Sequence, residues 1–487
     1  MTTDLRALSA AGEGPFALSL ADGSTLQCAR IVRRVPGRRL VCQGVWQQQA
    51  VYAKIFLGRD AARYAGRDRR GAQWLAERGL ATPALLHTEA LSDGTQVLVY
   101  AAIPDSSNAE ERMQVLVADD AARLALFKAL VQTVADHHNA GLLQTDLYFK
   151  NFLVQGEHIY TLDGDGIRPL RGWCARRQAL SNLARLLSKP DVADDRWIPE
   201  LYLTYCARRG WVADAATQRA LAAKALAIRR DVIRGYANSK VFRECSDVHV
   251  ARAAGSWRAI ARAWVGRLGN ALDAPDSLLE GAGNVRLKSG NTCTVGLTEL
   301  AGRKLVVKRY NIKNLRHSLG RALRPSRAAA SWSAAYRLLI SGMPTAAPVA
   351  MLERRWGMFR REAYFLAEYV DGPDIAELMA DPAVLVEYKQ QAVLNTARLL
   401  RKMQRLQLEH GDFKATNIKM VDLQPVLIDL DSLREHRCGW LFRRRHARDL
   451  RRLLKNWQND PAGRALMRQA LDNVYGNDPV LAGITRD

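Results

Sequence analysis

His410-Gly411-Asp412-Phe413-Lys414-Ala415-Thr416-Asn417, followed by Leu427-Ile428-Asp429-Leu430-Asp431, decides the reading of this chain. An aspartate, an asparagine five residues on and a second aspartate behind a short apolar run place three hard oxygen donors around one loop. Asp412 would accept the proton of an attacking hydroxyl. Asn417 would offer a neutral oxygen, and Asp429 a charged one, to a cation. Such donors suit Mg²⁺ rather than a soft metal.

The pattern occurs twice. Leu142-Leu143-Gln144-Thr145-Asp146-Leu147-Tyr148-Phe149-Lys150-Asn151 precedes Tyr160-Thr161-Leu162-Asp163-Gly164-Asp165, and 412 − 146, 417 − 151 and 429 − 163 are all 266. One D-x-x-x-x-N arises readily by chance. Three positions at one offset, each flanked by apolar residues, do not, so the chain reads as an internal duplication. The H-x-D-x-x-x-x-N…D arrangement resembles the catalytic stretch of protein-kinase-like folds. That resemblance implies an α+β chain of two tandem protein-kinase-like domains, each with a small antiparallel β N-lobe and a mainly helical C-lobe.

The length of 487 residues suits two domains of roughly 240 residues or three smaller ones. At 48% hydrophobic content each half can bury a core. A net charge of +23, spread along the chain, favours an anionic partner such as acidic lipid headgroups or a phosphorylated glycan. Nucleic acid fits the charge, yet no recognition motif or aromatic–basic interleaving supports it. The seven cysteines (28, 42, 174, 206, 245, 293 and 438) form no C-x-x-C pair and no zinc spacing, which suits a reducing compartment. The N-terminus has no apolar signal core and no apolar run reaches 18 residues, so the expected location is cytoplasmic, touching a membrane surface without spanning it.

In the first half, residues 25–57 alternate short apolar runs with turn residues and read as a small antiparallel sheet. Lys54 lies in its last strand. A helix is expected over 60–79, strands over 84–86 and 97–101, a long helix over 115–140 and another over 176–188. His137 and His138 read as helix-end or core histidines. The pattern from 191 to 268, with Trp197, Trp211, Trp257 and Trp264, reads as helical. The domain border is placed near 269–275, giving domains 1–268 and 269–487.

In the second half, 285–287, 292–297 and 305–310 suggest a second short sheet carrying Lys308. The turn Ser289-Gly290-Asn291-Thr292 is the candidate phosphate-covering loop, without a G-x-G-x-x-G pattern. A basic stretch holds Lys313, Arg316, His317, Arg321, Arg324 and Arg327, and a helix follows to Ile340. The strand ending in Glu368-Tyr369-Val370 is the expected adenine hinge, and the helix before the catalytic loop spans about 385–408. Arg434, Arg437, Arg443, Arg444, Arg445, Arg448, Arg451 and Arg452 cluster past Asp431, as a solvated face or as a bidentate hold on an anionic acceptor. Asp449 is expected to brace the catalytic loop by accepting backbone N–H groups, with Asn182 doing so uncharged in the first half.

With these residues in view, the chain resembles the lipopolysaccharide core sugar kinases, the inner-core heptose kinases and their Kdo-kinase relatives. The matching stretches are Ser326-Arg327, Ser331-Trp332, 363–372, 410–417 and 428–431, and in the first half 38–42, Ala53-Lys54, 144–151 and 163–165. The resemblance implies ATP- and Mg²⁺-dependent phosphorylation of a heptose hydroxyl on core lipopolysaccharide, at the cytoplasmic face of the inner membrane. It makes Asp412 and Asp146 the catalytic bases. Asn417, Asp429, Asn151 and Asp163 become metal ligands, and Lys308 and Lys54, with Glu368, Tyr369 and Val370, nucleotide contacts. Gln144 stands in place of His410. No acid lies in 327–340 to pair with Lys308, while Asp60 and Asp68 are the candidates for Lys54. With Gln144 in place of His410 and Asn182 in place of Asp449, the second half is expected to be the more reliable catalyst, and the first a second kinase or a degraded nucleotide-binding partner. The same residues would also serve an atypical Rio-like Ser/Thr protein kinase or, without turnover, a pseudokinase scaffold in envelope assembly.

Overall fold

The computed structural model describes residues 4–10, 14–253, 255–281, 283–290, 292–311, 325–356, 359–482 and 484. Asn291 and the basic residues Lys313, Arg316, His317, Arg321 and Arg324 lie outside them. The chain is mixed α and β with antiparallel sheets, and it divides into two compact units, 1–190 with 194–228 and 191–193 with 229–487.

In the first unit, helix α1 (Leu5–Ala10) precedes strands β1 (Phe16–Ser19), β2 (Thr25–Val35), β3 (Arg39–Trp46) and β4 (Gln49–Phe56). Alternation drives them: Leu40, Cys42, Gly44 and Trp46 of β3 are all buried, one residue in two. Gly44 permits the close approach of β2, since a Cβ there would sit 2.0 Å from the Gln27 carbonyl oxygen. Helix α2 (Ala61–Glu77) follows and stops before Gly79, which turns at φ +68°. Its buried stripe, Ala61, Ala65, Asp68, Ala72 and Leu75, has helical spacing and contains one carboxylate. Strands β5 (Leu85–Ala90) and β6 (Gln96–Ala101) complete a six-stranded sheet of order β1-β2-β3-β4-β6-β5.

After β7 (Ser107–Asn108) the unit becomes mainly helical. A short helix α3 (Ala109–Val115) comes first, and the helix expected over 115–140 starts only at Asp120 as α4 (Asp120–Asn139), where the Asp119 side chain caps it by accepting from Ala122 N. Short strands β8 (Leu142–Gln144), β9 (Phe152–Gln155), β10 (His158–Thr161) and β11 (Ile167–Pro169) carry the repeated motif. Helices α5 (Ala175–Leu187), α6 (Ile198–Arg209) and α7 (Ala215–Asn238) pack a core around Phe127, Leu130, Leu183, Tyr202 and Tyr205.

The expected border at 268/269 does not hold. The division between units falls within α7, and residues 248–261, read from sequence as helical, form the hairpin β12 (Val248–Ala253) and β13 (Ser256–Ala261) of the second unit's sheet. Alanine and arginine dominate both segments and favour helix locally. Burial of Trp257 and Ala259 between β12 and a later strand overrides that preference. After a single turn, α8 (Ser277–Glu280), come β14 (Val285–Ser289), β15 (Cys293–Leu300), β16 (Arg303–Tyr310), helix α9 (Arg327–Ile340), β17 (Pro348–Trp356) and β18 (Phe359–Glu368). The sheet has seven strands, ordered β12-β13-β17-β18-β16-β15-β14, over a core that includes Trp264, Leu305, Val307, Leu352 and Leu366.

The rest of the unit is helical apart from two-stranded ladders: α10 (Ile375–Ala380), α11 (Val386–Leu406), β19 (Leu408–Glu409), β20 (Ile418–Val421), β21 (Gln424–Leu427), β22 (Arg434–Glu435), α12 (Gly439–Leu454) and α13 (Pro461–Tyr475). In α12 the residues Phe442, His446, Leu450 and Leu453 are buried, while Arg443, Arg444, Arg448 and Arg452 are exposed. The arginine cluster is thus the outer face of an amphipathic helix.

Candidate active sites

Each unit closes its motif loop in the same way. Asn151 Nδ2 donates to the Asp146 carbonyl at 2.9 Å, and Asn417 Nδ2 donates to that of Asp412 at 2.9 Å. On the far side, Leu162 N donates to Asn151 O (2.8 Å) and Ile428 N to Asn417 O (3.0 Å). These bonds clamp each loop to the strand that follows and leave the asparagine Oδ1 for another partner. The next residue in each case, Asp163 or Asp429, is left-handed, at φ +65° and +58°. Aspartate tolerates that conformation better than most residues, and it turns the carboxylate out of the strand line.

The swap of Gln144 for His410 proves conservative. His410 Nε2 donates to Ile428 O at 3.2 Å, and Gln144 Nε2 donates to Leu162 O at 3.1 Å, the matching carbonyl at the offset of 266. Both side chains are fully buried. Burial pushes the His410 imidazole down to about 4, so the ring is neutral at pH 7. Asp449 accepts from His410 N at 2.9 Å and Gly411 N at 3.3 Å, the brace expected from sequence. Asn182 departs from expectation. Its Nδ2 donates to Gln144 O at 2.8 Å and its Oδ1 meets His138 Nε2 at 3.0 Å, so it braces the loop through a carbonyl. His138 also bonds Tyr205, and His137 bonds Thr161 at 2.9 Å; both rings are buried core histidines.

The lysines differ between units. Lys308 Nζ donates to Asp429 Oδ1 at 2.7 Å. Burial alone would raise the Asp429 carboxyl, but the Lys308 charge and hydrogen bond bring it below its ordinary value. Lys54 holds two carboxylates, Asp68 at 2.7 Å and Asp163 at 3.3 Å. Asp68 lies on the buried stripe of α2, and the Tyr100 hydroxyl takes its other oxygen. Asp60 sits on the exposed end of that helix and pairs instead with Arg63 at 3.8 Å. Arg39 Nη1 stands 3.8 Å from Asp163, whose carboxyl burial would raise but which Lys54 and Arg39 hold down at about 2.

Counted back from the helix-ending glycines, Asp68 of the first unit matches Ser331 of the second: 342 − 79 and 331 − 68 are both 263. Ser331 Oγ donates to Asp431 at 2.7 Å, Arg327 pairs with the same carboxylate at 2.6 Å, and the Tyr310 hydroxyl completes the set. Helix α9 is therefore tied to the loop after Asp429 but brings no acid to Lys308.

Around the candidate bases the units diverge again. Asp412 is flanked by Arg452 (3.0 Å) and Lys414 (3.4 Å). The Asp146 carboxylate makes no hydrogen bond or ion pair among the described residues. Tyr148 occupies the position of Lys414, with Lys189 Nζ 3.5 Å from its ring centre. Along the expected hinge, the N–H groups of Glu368 and Tyr369 are donated to Ala347 O and Lys304 O, both at 2.9 Å. Val370, next along, donates to no described residue. In the first unit Arg39, Val41, Tyr52, Lys54 and Tyr100 share one face of the sheet and line a cleft of about 510 Å³ that reaches Asn151 and Asp163. Arg39 and Tyr100 were not singled out as site residues, though period-2 alternation from Lys54 puts them on its face. Arg452 belongs to the basic cluster past Asp431, but which of those arginines reaches Asp412 depends on how α12 packs.

Residues 278–473 match the model of the lipopolysaccharide kinase (Kdo/WaaP) family. Lys308, Asp412, Asn417 and Asp429 lie within the match. No curated protein matches the chain. Among solved structures, WaaP in complex with acyl carrier protein is similar at 19% identity, covering 46% of this chain and 91% of that one, with a TM-score of 0.31. The family resemblance is thereby shown for the second unit, and with it the enzyme class, a phosphotransferase acting on a sugar hydroxyl.

Proposed function

We propose that the second unit is an ATP-dependent kinase that phosphorylates a heptose hydroxyl of the lipopolysaccharide inner core, and that the chain is a tandem pair of protein-kinase-like domains. The observation that carries this reading is the convergence of Lys308, Asp412, Asn417 and Asp429 within the segment that matches the lipopolysaccharide kinase family.

Asn417 has its amide nitrogen engaged and Asp429 has one oxygen on Lys308, which leaves an amide oxygen and a carboxylate oxygen facing the same loop. Two hard donors, with the remaining positions open to water and phosphate oxygens, fit Mg²⁺. Bound there, Mg²⁺ would neutralise charge on the nucleotide phosphates. Lys308 would hold those phosphates through its ammonium group. Val370 would meet the adenine with its unengaged N–H. Asp412 would orient the sugar hydroxyl and take its proton. Lys414 and Arg452, both beside that carboxylate, would hold an anionic group of the acceptor. A charge of +23 suits work on an anionic glycolipid at a membrane surface, and among the described residues no helix is long and apolar enough to cross one. The location that goes with this acceptor is the cytoplasmic face of the inner membrane.

Incubation with Mg²⁺-ATP and purified core lipopolysaccharide tests the reading by mass spectrometry of the released sugars. The expected product is a heptose heavier by one phosphoryl group, reduced by several orders of magnitude in Asp412→Ala. Phosphate appearing only on protein would redirect the assignment to the Rio-like alternative.

A further inference from the structure

We infer that the first unit is a second phosphoryl-transfer centre, with a nucleotide site of its own and an anionic hydroxyl compound as acceptor. The matched family segment starts at residue 278 and does not reach this unit. The inference rests on the kinase-like reading of the repeated motif, but not on lipopolysaccharide as the second unit's acceptor.

Three observations within the unit carry it. The loop of Asp146, Asn151 and Asp163 repeats three features of the second unit: the asparagine bond to the aspartate carbonyl, the clamp to the following strand and the left-handed second aspartate. The lysine is better prepared here than there. Lys54 is fixed between Asp163 and Asp68, and Asp68 is itself held by the Tyr100 hydroxyl inside the α2–sheet packing, whereas Lys308 pairs among the described residues with Asp429 alone. A degenerating site would lose this pair first, because a buried carboxylate is costly unless its partner stays. Finally, the cleft over Lys54 has a cationic excess: Arg30, Arg33, Arg39, Lys54 and Lys150 line it against the carboxylates of Glu111 and Asp163, a balance suited to a nucleotide triphosphate.

The acceptor side points to a different substrate from the second unit's. Asp146 carries no ion pair among the described residues, and beside it stands an exposed Tyr148 between Lys150 and Lys189. An aromatic face with two ammonium groups suits a sugar ring bearing a negative substituent. In the step itself, the acceptor oxygen bonds to the γ-phosphorus of ATP as the bond to the β–γ bridging oxygen breaks. The hydroxyl proton passes to Asp146, and ADP leaves with the bonding electrons.

Calorimetric titration of the full chain with Mg²⁺ and a non-hydrolysable ATP analogue tests the site without any acceptor. Two binding sites are expected. Lys54→Met should remove one, Lys308→Met the other, and Asp68→Asn should weaken the first about tenfold or more. Each lysine variant should keep the other site, which guards against a folding defect in it. A single site that survives Lys54→Met overturns the inference, as does the absence of binding. For transfer, Asp412→Ala should still label an anionic glycan from γ-labelled ATP, and Asp146→Asn added to it should abolish the label. Two sites with no transfer in Asp412→Ala would overturn the catalytic part.

Discussion

His410 and Gln144 show how two different residues satisfy one requirement. Each donates a hydrogen bond to the carbonyl that precedes the second aspartate of its motif, so the demand is for a buried N–H donor of the right reach and not for an imidazole. His410→Gln should therefore retain activity within about threefold, while His410→Ala leaves a void and an unpaired carbonyl and should cost about 2 kcal/mol or more in thermal unfolding. Asp449 makes the same point with charge. Burial raises its carboxyl to about 6, although the Gly411 and His410 N–H groups pull the other way. A folded-state pKa above the ordinary 3.8 means that its contribution is fully present below pH 4 and is lost as pH rises through 6. The loss is about 3 kcal/mol by the conversion of 1.36 kcal/mol per unit. Asp449→Asn keeps an acceptor and cannot ionise, so its melting temperature relative to wild type should climb between pH 4 and 7; a constant difference would mean that Asp449 does not titrate there. Most of this was legible from one offset, because loop chemistry is local. The contacts made by tertiary packing, Arg452 with Asp412 and Ser331 with Asp431, were not.

At the scale of elements, the helix beside the motif lysine distinguishes the units. In the first, α2 lies so close to the Asp163 loop that a Cβ on Gly71 would stand 1.9 Å from the Gly164 carbonyl oxygen, backbone against backbone. That approach is what lets Asp68 and Asp163 share Lys54. Gly71→Ala should force the helix away, cost about 1–3 kcal/mol and weaken analogue binding at the first site at least tenfold. Gly66→Ala on the same helix meets nothing within 4 Å, and should leave binding unchanged while adding about 0.5–1 kcal/mol of helix stability. Equal effects of the two substitutions on binding would contradict this account of the packing. The strands of both sheets around the lysines could be read because alternation survives in β3, β4 and β16. The β12–β13 hairpin could not: its residues prefer helix, and only its place against β17 makes them strand.

For the whole molecule, the duplicated motif and the basic charge point to one account, two kinase-like units serving anionic acceptors. The arginines on the outer face of α12 end at Arg452, which pairs with Asp412 at 3.0 Å. The most direct test uses labelled phosphate transfer from Mg²⁺-ATP to purified core lipopolysaccharide in an Asp146→Ala background, with and without Asp412→Ala. The account predicts clear transfer by the single variant and a fall of several orders of magnitude in the double variant, with the fold intact. Undiminished transfer by the double variant, or none to lipopolysaccharide by wild type, would contradict it.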